Sequence, residues 1–250
     1  MVRVERGTHR SPFAEVRFMN LIRPNNPSRN GHFTLLFAYM MAEFAIIPIF
    51  EDSMILGVLS DLVYLLLIFY VVYSIRRNWL FGVNVLLFIM TITSDLVLMF
   101  NPESQLAMVI LNFITCAFVI SVIVSIVPFL LQNDSITLDG VLGGLCAYIL
   151  IGGAFNTLYI NVELLQPGSF NFGVHGEHPN LVQLYDLLFY YSFISLLTIG
   201  FGDILPMSHT AQALTVLEGV IGLFYVVFFI SLLVGMHISA RLSRGGQAGP

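Results

Sequence analysis

Six consecutive residues, TIGFGD at positions 198–203, combine a hydroxyl, a carboxylate and two glycines at alternate positions. A dehydrated alkali cation needs oxygen ligands in place of its hydration shell, and successive backbone carbonyls supply them when they face one axis. Peptide planes normally alternate in direction, so aligning them requires left-handed residues at every second position. Gly200 and Gly202 adopt that conformation at little steric cost. The predicted cation ligands are the carbonyls of Thr198, Ile199, Gly200 and Phe201, together with the Thr198 hydroxyl.

Bulky apolar residues alternate with these glycines. We expect the side chains of Ile199 and Phe201 to point away from the carbonyl axis and to pack behind the loop, where they would fix the diameter of the ring. Closing a four-fold ring of carbonyls needs four loops, and the chain carries one. The pattern therefore predicts a homotetramer.

The composition indicates that this loop belongs to a membrane protein. Of the 250 residues, 57% are hydrophobic and 10% are charged, and the mean hydropathy is +0.87. A soluble domain of this length cannot bury so much apolar surface. Six apolar stretches are long enough to cross a hydrocarbon core about 30 Å thick. They run over 33–50, 54–75, 79–100, 106–131, 138–160 and 211–240.

A shorter apolar segment, 183–197, leads directly into the loop. It is typical of a re-entrant half-helix, which is tolerated at membrane depth when protein surrounds it. The predicted fold class is therefore all-α integral membrane, with six transmembrane helices, one re-entrant helix and the glycine-containing loop.

The basic residues predict the orientation in the membrane. All ten are arginines: six precede the first apolar stretch, Arg76 and Arg77 follow the second, and Arg241 and Arg244 follow the sixth. Because positive residues concentrate on the cytoplasmic side, both termini are expected in the cytoplasm, in the plasma (inner) membrane. The segment between the fifth and sixth stretches then faces outside, and the loop dips in from there.

The motif resembles the potassium-channel signature T-[VI]-G-[YF]-G-D, and its TIGFGD form is especially similar to the filters of two-pore-domain potassium channels. Tyr190, Tyr191 and Ser192 look like the family's aromatic pair and small hydroxyl residue, and Pro206 matches its turn proline. The resemblance covers about residues 138–240. It implies a six-transmembrane, single-pore-loop member of the potassium channel superfamily, with a pore helix and a filter loop.

The resemblance also implies roles for individual residues. Tyr190 and Tyr191 would form part of an aromatic cuff, and Tyr191 would bond Asp203 behind the filter. Gly222 would be the hinge of the inner helix, although Gly219 and Gly235 compete with it as packing glycines. The implied filter residues are Thr198, Ile199, Gly200, Phe201 and Gly202.

The organisation predicted for the chain has four parts. Residues 1–32 form a basic cytoplasmic segment, either an interfacial helix on anionic inner-leaflet lipids or a disordered tail. Residues 33–135 form a four-helix domain resembling a voltage-sensor domain without arginines. Residues 136–240 form the pore domain, and 241–250 a short cytoplasmic tail. The fourth apolar stretch has no basic residue, so voltage sensing of the usual kind is excluded.

Carboxylates within the apolar stretches are the remaining candidates for function. Glu43, Asp61 and Asp95 are either a modulatory proton or cation site or structural hydrogen-bonding groups. Glu218 lies four residues before Gly222 and either supports the filter or bonds local hydroxyls without functional effect.

Histidines near the loop offer a second, weaker set of candidates. His209 follows the loop and is either an external acid sensor or a solvated histidine. His175, Glu177 and His178 make a metal site only if further ligands join them.

The sequence favours a potassium-selective, passively conducting channel that needs no cofactor beyond bound K⁺. It has no hydrolytic constellation or nucleotide-binding loop, so we expect neither catalysis nor nucleic-acid binding. Two alternatives compete with this interpretation. One is a weakly selective monovalent cation channel, and the other is a non-conducting membrane sensor or accessory protein that keeps the pore fold.

Overall fold

The structure, a computed structural model, describes residues 31–46, 54–75, 78–100, 104–131, 137–173 and 179–245. Within the chain, Gly31–Pro250 forms one compact unit. The basic N-terminal segment lies outside the described residues, apart from its last two, and so do positions 175, 177 and 178.

Seven helices account for nearly all of the described chain. They are α1 His32–Ile46, α2 Met54–Ile75, α3 Asn78–Phe100, α4 Gln105–Leu131, α5 Leu138–Leu165, α6 Leu181–Leu196 and α7 His209–Gly245. Each falls on an apolar stretch of the sequence. Helix α7 continues five residues past the boundary expected at 240.

A short antiparallel pair of strands, β1 (Phe170–Asn171) and β2 (Leu205–Pro206), joins the segments on either side of α6. Phe170 pairs with Pro206, and Asn171 pairs with Leu205. No strand was expected from the sequence. This pairing holds together the two ends of the segment that contains α6 and the residues following it.

Three helices in the described part are long and apolar enough to cross a membrane, judged by length and composition. They are Gln105–Pro128 within α4, Leu138–Leu165, which is α5, and His209–Gly235 within α7. Shorter apolar helices cover Leu62–Ile75, Leu80–Ser94 and Leu181–Leu196. The structure thus supports three of the six predicted spans, and it confirms α6 as a short apolar helix.

Helix α5 is the centre of the packing. Its most extensive contact is with α4, and α1 and α6 also pack along it. Glycines allow the closest approaches: a Cβ at Gly143 would lie 2.9 Å from the Phe33 ring of α1, and one at Gly144 would overlap the Phe229 ring of α7. At the start of α5, Asp139 accepts bonds of 2.9 Å from the backbone and hydroxyl of Thr34 and so ties α1 to this end.

The described residues form two apolar cores. The larger is built from α1–α5. The smaller lies beneath the segment after α6 and contains Tyr159, Phe170, Leu188, Tyr191 and Ile204. Between α3 and α4, the buried Asn84 donates to Ser125 at 3.0 Å and accepts from Ser121 at 2.8 Å, so its amide is satisfied by neutral groups.

Candidate functional site

Helix α6 delivers the chain to the site, and both of its ends are well defined. At its start, Asn180 Oδ1 accepts from the Gln183 backbone at 2.9 Å, and Gln183 Oε1 accepts from the Asn180 backbone at 3.0 Å. This capping box satisfies two free amides of the first turn. At its end, the backbone N–H of Leu197 bonds Phe193 O at 2.9 Å. The C-terminal end of the helix, with its partial negative charge, therefore faces the following residues.

Residues 197–204, called the glycine loop below, have an alternating backbone. The φ angles of Thr198, Gly200 and Gly202 are +57°, +58° and +77°. Thr198 is the non-glycine residue with positive φ in the described part of the chain. Left-handed conformation thus recurs at every second position, as the alignment of carbonyls requires.

The beginning of the glycine loop is held by one carbonyl of α6. Ile194 O accepts from Ile199 N at 2.8 Å and from Gly200 N at 3.2 Å. For a β-branched residue such as Thr198, the left-handed conformation costs about 1–2 kcal/mol. Left-handed backbone was expected from the sequence for the two glycines but not for Thr198, because threonine does not favour that conformation.

The apolar side chains of the loop are not covered by their own chain. Ile199 is 49% exposed and Phe201 is 70% exposed. Both were expected to pack behind the loop. Among the described residues of a single chain, no surface covers them.

The two tyrosines of α6 that precede the loop have different partners from those expected from the sequence. The hydroxyl of Tyr191 lies 2.7 Å from Thr215 Oγ1 of α7. The tyrosine that interacts with the Asp203 carboxyl group is its neighbour, Tyr190. The expected bond from Tyr191 to Asp203 is therefore wrong, because the buried side of α6 turns Tyr191 towards α7.

Gly173 (φ +51°) abuts the loop, and a Cβ there would lie 2.7 Å from the Asp203 carbonyl oxygen.

Glu218 lies behind α6 and is fully buried. Its Oε2 is 2.6 Å from the Tyr159 hydroxyl of α5, and its Oε1 is 2.5 Å from the Ser192 hydroxyl of α6. Ser192 Oγ is also 2.9 Å from Gly152 O of α5. The sequence offered Glu218 either as a support for the loop or as a group that bonds local hydroxyls, but it could not identify partners 26 and 59 residues away.

Gly222 lies against the end of α6. A Cβ at this position would be 2.7 Å from Leu196 Cδ1 and 3.3 Å from Leu196 O. The same carbonyl accepts a bond of 2.9 Å from the Tyr148 hydroxyl of α5. Helix α7 runs without interruption through Gly222. Unlike at Gly222, a Cβ added at Gly219 or Gly235 would meet no described atom within 4 Å. Gly222 is thus a close contact between α6 and α7.

The other candidate residues lie apart from the loop or outside the described side chains. His209 is exposed and is the first residue of α7. Glu43 is half-buried on α1 and has an interaction partner. Asp61 lies on α2 and Asp95 on α3, with side chains outside the described part. Within the described part of the chain, no group of three or more His, Cys, Asp or Glu is placed to hold a metal ion.

Comparison with known protein families identifies a match over part of the chain. Residues 176–238, which contain α6, the glycine loop and most of α7, match the model of a family described as Ion channel. No curated protein and no solved structure matches the chain. The matched segment contains the residues with the alternating backbone. The match supports ion-channel function.

Proposed function

We propose that the protein is a potassium-selective channel that conducts passively through the glycine loop. The observation that carries this proposal is the positive φ of Thr198, Gly200 and Gly202, at every second residue. This alternation is what successive carbonyls need in order to face one axis and replace the hydration shell of K⁺. The ligands would be the carbonyls of Thr198, Ile199, Gly200 and Phe201 and the hydroxyl of Thr198.

Four copies of the chain would form the channel. One loop cannot surround an ion, and the single chain leaves large apolar side chains uncovered in the loop and on α7. Phe201 is 70% exposed, Val216 is 67% exposed and Phe224 is 71% exposed. In the most apolar part of α7, 11% is buried, against 50% in the corresponding part of α5. Neighbouring copies around a four-fold axis would cover the loop and one side of α7.

The orientation follows from the arginines. With both termini in the cytoplasm, α6 and the glycine loop enter the plasma membrane from outside, and α7 returns to the cytoplasm. The C-terminal end of α6 then points towards the centre of the pore, where its dipole favours a cation. The basic segment 1–32 would contact anionic lipids of the inner leaflet.

The test is the reversal potential of purified protein in a planar bilayer under a K⁺/Na⁺ gradient. We expect a value near the potassium equilibrium potential, lost in Gly200→Asp. Gly168→Asp is the matched control, because Gly168 also has positive φ (+84°) but lies outside the loop with open space around it. It should retain the potassium potential.

Two other results would replace this proposal. A current that reverses near zero would favour the weakly selective cation channel. Absence of current across voltage, pH and lipid composition, in protein that remains tetrameric, would favour a non-conducting sensor.

A further inference from the structure

The carboxyl group of Glu218 connects three helices. Tyr159 on α5 contacts one oxygen, Ser192 on α6 contacts the other, and Ser192 in turn reaches Gly152 O on α5. Glu218 and Ser192 are both fully buried. We call the contacts from Tyr159 through Glu218 and Ser192 to Gly152 the carboxyl relay.

Counting protons decides how the carboxyl relay is bonded. A serine hydroxyl has one proton, so Ser192 cannot donate to both Glu218 Oε1 at 2.5 Å and Gly152 O at 2.9 Å. If Glu218 is a neutral acid, its O–H donates to Ser192 Oγ, Ser192 donates to Gly152 O, and Tyr159 donates to the other carboxyl oxygen. All three contacts are then hydrogen bonds. If Glu218 is a carboxylate, one of the two Ser192 contacts has no proton.

Residues 78–240, which contain the relay, supply no fixed positive charge that would favour the carboxylate. The chain has no lysine, and no arginine occurs between positions 78 and 240. Every copy in an assembly shares this property. Among the described residues, the titratable groups that face Glu218 are the phenols of Tyr148 and Tyr159 on α5 and of Tyr191 on α6. A buried carboxylate without a cationic partner carries a large desolvation cost.

We infer that Glu218 is a protonated carboxylic acid and a positioning residue for the glycine loop. Through the relay it holds α6 at a fixed distance from α5 and α7. Because α6 carries the loop, that distance helps to set the diameter of the carbonyl ring. The role in positioning rests on the proposed function, whereas the protonation state does not.

The protonation state is tested by infrared difference spectroscopy of the lipid-reconstituted protein at neutral pH, wild type minus Glu218→Gln. The expected difference contains the carbonyl stretch of a protonated carboxylic acid. Its absence, with carboxylate stretches in its place, would overturn the inference. This measurement needs no current, so it stands even if the channel proposal fails.

The positioning role is tested by rescue. Glutamine can donate its amide N–H to Ser192 and accept from Tyr159, whereas the similarly sized leucine can do neither. We expect Glu218→Leu to lower the K⁺/Na⁺ permeability ratio about tenfold, since buried donors and acceptors lose their partners. Glu218→Gln should stay within about twofold of wild type.

Tyr159→Phe should reduce the permeability ratio in the same direction as Glu218→Leu. Tyr70→Phe is its matched control, because Tyr70 lies exposed on α2, away from the relay. Equal ratios for Glu218→Leu and Glu218→Gln, in tetramers of equal thermal stability, would contradict the positioning role.

Discussion

Gly173 and Gly168 form a matched pair that isolates one contact of the glycine loop. Both have positive φ, but a Cβ at Gly173 would meet the Asp203 carbonyl at 2.7 Å, while one at Gly168 would meet nothing within 4 Å. Alanine at either position adds left-handed strain of about 1–2 kcal/mol. We expect Gly173→Ala to add about 1–3 kcal/mol more, because it pushes against the loop backbone.

Thermal unfolding of both variants in the same detergent measures this difference. The K⁺/Na⁺ permeability ratio should fall for Gly173→Ala and stay at the wild-type value for Gly168→Ala. Equal midpoints for the two variants would show that the contact with Asp203 is unimportant.

The tyrosine pair gives a second prediction at the residue scale. Because Tyr190 bonds Asp203 and Tyr191 bonds Thr215, Tyr190→Phe and Asp203→Asn should be non-additive in the free energy of unfolding. Because Tyr190 is partly exposed to solvent, this interaction predicts a coupling of about 1 kcal/mol. Tyr191→Phe with Asp203→Asn is the control cycle and should be additive within about 0.5 kcal/mol. Coupling in the control cycle instead would restore the pairing first expected from the sequence.

The sequence predicts local backbone at the site well and side-chain partners poorly. Gly200 and Gly202 predict left-handed backbone because the absence of a Cβ is a local property. Thr198 adopts the same conformation where the next two backbone amides bond the Ile194 carbonyl. No property of threonine itself indicates this conformation. The partner of Tyr191 depends on which side of α6 is buried. That side is decided by contacts with α5 and α7 and not by the motif.

At the scale of elements, the contact between α6 and α7 at Gly222 predicts a steric effect. Gly222→Ala places a methyl group 2.7 Å from Leu196 Cδ1 and 3.3 Å from the Leu196 carbonyl oxygen. We expect a loss of about 1–3 kcal/mol in stability and a shift in open probability, because the end of α6 must move. Gly219→Ala, on the same helix, meets no described atom of its own chain within 4 Å and should be neutral or stabilising, since alanine favours helix.

Thermal unfolding and single-channel recording of both variants test this effect. If Gly222 acts only as a hinge, the two substitutions should have similar effects on stability and Gly222→Ala should alter gating alone.

Helices were predictable from sequence and the strand pair was not. Each of the seven helices falls on an apolar stretch of the sequence. For α6 that stretch is short and leads directly into TIGFGD. The strands β1 and β2 have two residues each and pair Phe170 with Pro206 across a long separation in the chain. Such short strands carry no period-2 pattern, so only the folded chain brings these residues opposite each other.

At the scale of the whole molecule, assembly is the first prediction. If neighbouring copies cover the glycine loop and α7, the purified protein should have four times the 27.9 kDa mass of one chain by native mass spectrometry. Potassium should stabilise the tetramer against heat more than sodium does, because the ion binds only when the ring is closed. The Gly200→Asp variant is the control and should lose the difference between the two ions. A monomer or dimer at conducting concentrations would contradict the four-fold ring.

The charge distribution predicts weak dependence on voltage. Moving one charge through the membrane field contributes about 2.3 kcal/mol per 100 mV, and steep gating needs about three to four charges in each subunit. Helix α4 has no charged residue, and the buried polar groups between α3 and α4 bond one another as neutral partners. The carboxylates at positions 43, 61 and 95 lie on the first three helices.

We therefore expect the conductance–voltage slope between about −100 and +100 mV to correspond to about one charge or fewer per channel. The slope is measured in symmetric K⁺ after subtraction of the Gly200→Asp background. A slope equivalent to several charges would mean that the acids of α1–α3 move through the field, and neutralising each in turn would identify which of them carries the charge.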